Sequence, residues 1–276
     1  MFAGFDTLHT LSDLGVFFPI PSQTSSIDKL LLLGLMRLGQ SKGSYKYLEI
    51  GSYRGGSLAP FLMDPACKMI LSIDDRGRVQ PDERGISFDY TAITTQSMMD
   101  NLHSCGISTD KLRTFDGSIH TLGDNFTSDD KCTSNFDLAF IDGEHTDEAC
   151  FRDFLWTLPL MKPSSIIMFH DSTLIYKSLK LIMLYLDKVK HGYTFFKSTD
   201  ADVSALLFGD FQKIDRFQFL GAEENQSIFF ARAEAIRIMQ QFQNRRRIRF
   251  VPSKILKLQI PLAFDIQPSK KRVIIK

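Results

Sequence analysis

The stretch Tyr47-Leu48-Glu49-Ile50-Gly51-Ser52-Tyr53-Arg54-Gly55-Gly56-Ser57 constrains the chain most. An apolar run ends in an acid and passes at once into a glycine-rich turn, which reads as a buried strand feeding a ligand-binding loop. Gly51 and Gly55 can take positive φ and let a ligand approach the backbone. Ser57-Leu58-Ala59 can open a helix whose first amides are free donors. The spacing Gly-x-x-x-Gly is not the dinucleotide fingerprint Gly-x-Gly-x-x-Gly, which disfavours a nicotinamide or flavin cofactor. Glu49 would repel a pyrophosphate and suit a cationic or amine-bearing ligand.

From Lys46 onward, apolar runs of strand length alternate with longer helical stretches, the signature of βαβ units on a parallel sheet. The pattern predicts strands at Tyr45–Ile50, Met69–Ile73, Lys111–Phe115, Phe136–Ile141 and Ser165–Phe169. It predicts helices at Ser57–Met63, Ser87–Ser104, Ile119–Leu122, Thr146–Leu158 and Leu174–Val189, with a further helical stretch at Glu234–Gln243. Tyr193–Phe196, Val203–Phe208 and Ser227–Ala231 are β candidates, two of which would complete the sheet as a hairpin. Ser25-Ser26-Ile27-Asp28 can cap an earlier buried helix reaching about Leu38, with Gly39 as its stop. Residues 1–25 read as an irregular arm or lid. Three parts follow: an N-terminal arm and helix (1–44), a ligand-binding α/β domain (45–232), and a C-terminal helix with a basic tail (233–276).

In an open parallel sheet, ligands bind beyond the carboxyl ends of the strands near the point where strand order reverses. Asp74 ends the second strand, placed to accept hydrogen bonds from ribose hydroxyls. Asp116, Gly117 and Ser118 follow the third. The fourth strand runs into Ile141-Asp142-Gly143-Glu144-His145, and the fifth into Phe169-His170-Asp171. Neighbouring strands would bring these two clusters together, offering oxygen and nitrogen ligands to a divalent cation, with Mg²⁺ favoured if carboxylates and water dominate.

Glu49-x-Gly51-x-x-x-Gly55 resembles the first motif of class I S-adenosylmethionine (SAM) dependent methyltransferases. Ile141-Asp142-Gly143-x-His145, the helix acid Asp153, Lys162-Pro163 and the strand ending His170-Asp171 resemble the small-molecule O-methyltransferase branch that includes macrolide-sugar and cephalosporin-tailoring enzymes. The resemblance covers roughly residues 45–232. It implies a Rossmann-like, doubly wound α/β sheet of seven mostly parallel strands with a terminal antiparallel hairpin and helices on both faces. It assigns SAM to Glu49, Gly51, Ser52, Gly55, Gly56, Ser57, Asp74, Asp116, Gly117 and Ser118. It assigns Mg²⁺ to Asp142, His170 and Asp171; the two strand-end clusters themselves suggest Asp142 and His145 as catalytic, with His145 taking the acceptor's proton. Three departures stand out: Ser164-Ser165 for the usual Gly-Gly, Asp147 where relatives often carry an aromatic residue, and His170 where some carry a carboxylate. The last makes the cation site less anionic.

A formal charge of +1, with 43% apolar and 24% charged residues, describes an ordinary globular chain. The charge is unevenly placed. Residues 244–276 hold ten Lys and Arg against Asp265 alone, leaving −8 on the rest. The tail therefore offers an RNA or an anionic surface a contact, the basis of an alternative role as a methyltransferase-fold binding protein. Cys67, Cys105, Cys132 and Cys150 lack metal spacing and read as reduced thiols of a cytoplasmic protein. The longest apolar run, Leu30–Met36, is far short of the ~20 residues of a membrane span. The methyl acceptor would be a small molecule whose identity is not legible here, and a homo-oligomer stays open.

Overall fold

The computed structural model describes residues 15–17, 20–121 and 135–245, with the backbone of 249–250, 264–265 and 271–273. Helix α1 (Ser26–Ser41) opens on a capping box: Asp28 N–H donates to the Ser25 hydroxyl, and the Ser25 N–H to the Asp28 carboxylate. The helix runs through Gly39, which is a packing position rather than a stop. A Cβ there would lie 2.8 Å from Leu138 and from the Tyr45 ring.

Then come β1 (Tyr45–Ile50), α2 (Ala59–Met63), β2 (Cys67–Asp74), β3 (Val79–Pro81), β4 (Ile86–Asp89), α3 (Thr95–Ser104), β5 (Leu112–Asp116), β6 (Phe136–Ile141) and α4 (Asp147–Thr157). β7 (Met161–Phe169), α5 (Tyr176–Lys188), β8 (Thr194–Lys197), β9 (Ser204–Leu207), α6 (Arg216–Leu220) and α7 (Gln226–Arg245) complete the body. The main sheet has seven strands in the order β5-β2-β1-β6-β7-β9-β8. β1, β2, β5, β6 and β7 pair in parallel, while β9 is antiparallel to both its neighbours. This is the doubly wound sheet with a terminal hairpin that the sequence implies, and strand order reverses between β1 and β6.

Alternation along the strands sends side chains to two cores. Tyr47, Ile70, Leu138, Phe140, Ile166 and Met168 pack with α1, α2 and α3 on one face. Leu48, Leu71, Ala139, Ile141, Ile167 and Phe169 pack with α4, α5 and α7 on the other.

Two sequence assignments are corrected. The helix expected over Ser87–Ser104 begins at Thr95, where Thr94 and Ser97 form a second capping box; its first residues belong to the β3–β4 hairpin, which turns at Gly85 with φ +73°. Ser227–Ala231, expected as a strand, is the first part of α7. The Asn225 carboxamide oxygen accepts from the amides of Ser227 and Ile228, and Phe229 and Phe230 stack on Phe195. Cap and packing override the β-propensity of that apolar run. The arm before Gly15, Leu122, Cys132 and the side chains of the basic tail lie outside the described residues. Among those described, no helix is long and apolar enough to cross a membrane.

Candidate active site

Backbone bonds from one strand end to the next set the floor of the site. Gly51 N donates to Ile73 O, Asp142 N to Ile50 O, and His170 N to Ile141 O, at 2.9, 2.8 and 3.1 Å. Gly51 has φ +88°, and a Cβ on it would stand 2.0 Å from the Asp142 carbonyl oxygen. The glycine turn after β1 is thus pressed against the loop after β6 at the switch point, where no side chain fits.

A cavity of about 560 Å³, its open mouth included, lies above this floor. Gly51, Ser52, Gly56, Ser57, Asp74, Asp142 and His145 line it. An adjoining cavity of about 330 Å³ shares Gly51, Asp74, Gln80 and Gly143 and adds Gly117, Ser118 and Asp153. Burial pushes the Asp153 carboxyl up to about 7.

Glu49 does not face either cavity, which corrects the expectation that it meets a cationic ligand. It is fully buried, with one oxygen accepting from the Tyr47 hydroxyl at 2.6 Å and the other from Ser57 at 2.5 Å. Burial pushes its carboxyl up to about 8, although these two bonds hold it down in part. It ties the glycine loop to β1 from beneath. Gly55, also at φ +88°, shapes the turn and backs onto Met98 of α3.

Sequence reasoning missed Arg76. Its buried guanidinium donates to Asp116 and to Ser52, each at 2.7 Å, and its Nε lies 3.7 Å from Asp74. Asp74 also accepts from the Tyr53 amide at 2.8 Å. The guanidinium therefore joins the ends of β2 and β5 to the glycine loop. The signal was the cation two residues past the strand-ending acid. The aromatic rim was missed as well: Tyr53 and Tyr90 pack edge-on, and Tyr90 donates to Gln23 at 3.0 Å. Ser22, Gln23 and Thr24 close one side of the mouth.

The clusters after β6 and β7 meet as expected. His145 Nε2 lies 3.3 Å from Asp142 Oδ1, and its Nδ1 lies 3.1 Å from Asp171 Oδ2. His170 Nδ1 is 3.0 Å from the same Asp142 oxygen and 3.7 Å from Asp171. Asp142, His145 and His170 offer ligand atoms within 4.8 Å of one another. Burial would raise Asp142, but the neighbouring imidazoles, His170 foremost, hold it at about 2. Burial works against protonation of His145, yet the Asp142 bond and the Asp171 charge raise its pKa on balance. Asp171, at φ +49°, is the strained residue of the group.

Asp147, one of the three departures noted in the sequence, lines neither cavity. Its carboxylate accepts from the Ser178 amide at 3.0 Å and from Arg237 at 2.8 Å.

Residues 48–172 match a family model described as a methyltransferase domain. No curated protein matches the chain. Among solved structures, the O-methyltransferase NovP shares the fold with a TM-score of 0.53 at 12% identity, over 73% of this chain and 98% of its own. TomG from Streptomyces achromogenes, an O-methyltransferase involved in tomaymycin synthesis and solved with SAM, is 17% identical over 75% of this chain and 92% of its own, with a TM-score of 0.48. An O-methyltransferase from Bacillus cereus, solved with S-adenosylhomocysteine, is 14% identical over 75% and 93%, with a TM-score of 0.46. The glycine loop thus lies at the switch point of a seven-stranded sheet, within residues 48–172 that match the methyltransferase-domain model, and the fold is the one shared with NovP.

Proposed function

We propose that the chain transfers the methyl group of SAM to a hydroxyl of a small molecule, with a divalent cation assisting. The observation that carries this reading is the juxtaposition of the cavity under the glycine loop with the imidazole–carboxylate cluster at its edge. SAM would lie along Gly51–Ser57, its ribose toward Asp74 and its adenine toward Gly117 and Ser118. The acceptor would enter between Ser22–Thr24 and the aromatic rim.

The acceptor oxygen attacks the methyl carbon, the S–C bond breaks, and S-adenosylhomocysteine leaves. The enzyme's tasks are alignment, which supplies several kcal/mol, and removal of the hydroxyl proton. His145 lines the cavity, and His170 and Asp171 are not among its lining residues. His145 is therefore the residue available to take that proton, with Asp171 on its far nitrogen fixing the ring. The donor set fits a cation: Asp142 Oδ1 and His170 Nδ1 face each other across 3.0 Å, and Asp171 flanks the same nitrogen. Asp142, His170 and Asp171 would hold it. When bound, such an ion lowers the pKa of an acceptor hydroxyl and orients it.

The test is calorimetric titration with S-adenosylhomocysteine followed by methyl-transfer assays on a panel of hydroxylated small molecules. His145→Gln should keep its affinity for S-adenosylhomocysteine and lose roughly 10²–10⁴ in kcat, the span general-base catalysis contributes. A folded protein that does not bind S-adenosylhomocysteine would refute the reading.

A further inference from the structure

His170 is more than nine-tenths buried, and its Nδ1 has no hydrogen-bond partner. Asp142 Oδ1 is 3.0 Å from that nitrogen, yet off the line that a ring N–H would take. A nitrogen and an oxygen turned together in this way suit two ligands of one cation better than a donor and its acceptor. On the other side of the ring, Nε2 lies 3.2 Å from Asp28 Oδ2. Asp28 comes from α1, 142 positions away in sequence. It is itself buried, and the same Oδ2 accepts from the Ser25 amide at 2.9 Å.

A carboxylate on one imidazole nitrogen puts the ring proton there and leaves the other nitrogen's lone pair free. This is the usual outer support of a histidine that binds a metal. We infer that Asp28 is the positioning residue of the cation site: it holds His170 with Nδ1 bare toward Asp142, so that the site takes a first-row transition-metal ion such as Mn²⁺ or Co²⁺ in preference to Mg²⁺. Imidazole nitrogen suits first-row transition metals, while Mg²⁺ prefers an all-oxygen set. The inference rests on the methyltransferase reading for the location of the cation. Beyond that reading, it gives the cap of α1 a second role and names the class of ion. The N-terminal helix, outside the matched segment 48–172, thereby becomes part of the site.

The experiment is titration of the metal-free full chain with MnCl₂, CoCl₂ and MgCl₂ by calorimetry, with the visible spectrum of the Co²⁺ form as a second readout. Mn²⁺ and Co²⁺ should bind at least tenfold more tightly than Mg²⁺. Asp28→Asn should weaken Mn²⁺ and Co²⁺ binding by about 10–100-fold and shift the Co²⁺ bands. Ser25→Ala breaks the same helix cap without touching His170. It should lower thermal stability and leave cation affinity unchanged, which separates support of the imidazole from support of the helix. Equal affinity for Mg²⁺ and Mn²⁺, unchanged binding by Asp28→Asn, or no cation binding at all would overturn the inference. S-adenosylhomocysteine binding, measured on the same metal-free samples, reports separately on the methyltransferase reading.

Discussion

Glu49 shows how a motif residue can serve the loop rather than the ligand. Its carboxyl is pushed up to about 8 by burial, so the folded state binds a proton that the unfolded chain releases near 4.5. The sign follows from linkage. The favourable contribution is complete below about pH 4.5, declines as pH rises, and is lost once pH passes about 8. Glu49→Gln removes the titration while retaining an oxygen for Tyr47 or Ser57. Urea unfolding between pH 5 and 8.5 should therefore show the wild type losing stability more steeply than Glu49→Gln. Parallel curves would mean that Glu49 does not titrate in this window. The motif itself was legible because glycine spacing is a local property. Neither the inward turn of Glu49 nor the bridge made by Arg76 is local, since each depends on partners fixed only once the strands are aligned.

Among the elements, α7 is the least expected participant. Its Arg237 is 5% exposed and donates to the Glu83 and Leu174 carbonyls while pairing with the carboxylates of Glu83 and Asp147. Glu83 sits in the turn of the β3–β4 hairpin; its amide donates to the His145 carbonyl, and its carboxylate accepts from the Asp147 amide. One guanidinium thus clamps the last helix to the roof of the cavity and to the loop that carries His145. Replacing it with Met strands two partly buried carboxylates. Removing one partner of a buried pair costs about 3–5 kcal/mol, and partial exposure of Glu83 and Asp147 places the expected loss near ~3 kcal/mol, measured by urea unfolding. Arg237→Lys should recover part of it. A loss below about 1 kcal/mol for Arg237→Met would reduce the clamp to an ordinary surface pair. From sequence, β1 and β6 are placed to the residue because buried parallel strands are short apolar runs with sharp ends. The β3–β4 hairpin was hidden by its polar, half-exposed composition, and the start of α7 by an Asn cap preceding β-prone residues.

For the molecule as a whole, burial is graded from the sheet outward. β1 and β6 are covered on both faces, whereas every residue of β3 and β4 is partly or fully exposed. Exchange of backbone amides with deuterium should be slowest in the central strands, near the global unfolding limit, and fastest in the hairpin. Saturating S-adenosylhomocysteine should slow exchange in residues 79–90, because the hairpin and Tyr90 roof the cavity. Unaltered exchange there in the bound protein would place the ligand elsewhere. The sequence legibly placed the imidazole–carboxylate cluster at the sheet edge, since topology alone brings the ends of β6 and β7 together. It was silent on Asp28, whose pattern announces a helix cap and whose second partner comes from the far end of another domain segment.

The bond from Tyr90 to Gln23 joins a half-buried and an exposed residue that both line the cavity. A hydrogen bond of this kind has a net worth of about 1 kcal/mol, a factor of about 5 between closed and open forms. At any moment, roughly one molecule in six would stand unlatched, so a ligand could pass this side of the cavity without any strand of the sheet letting go.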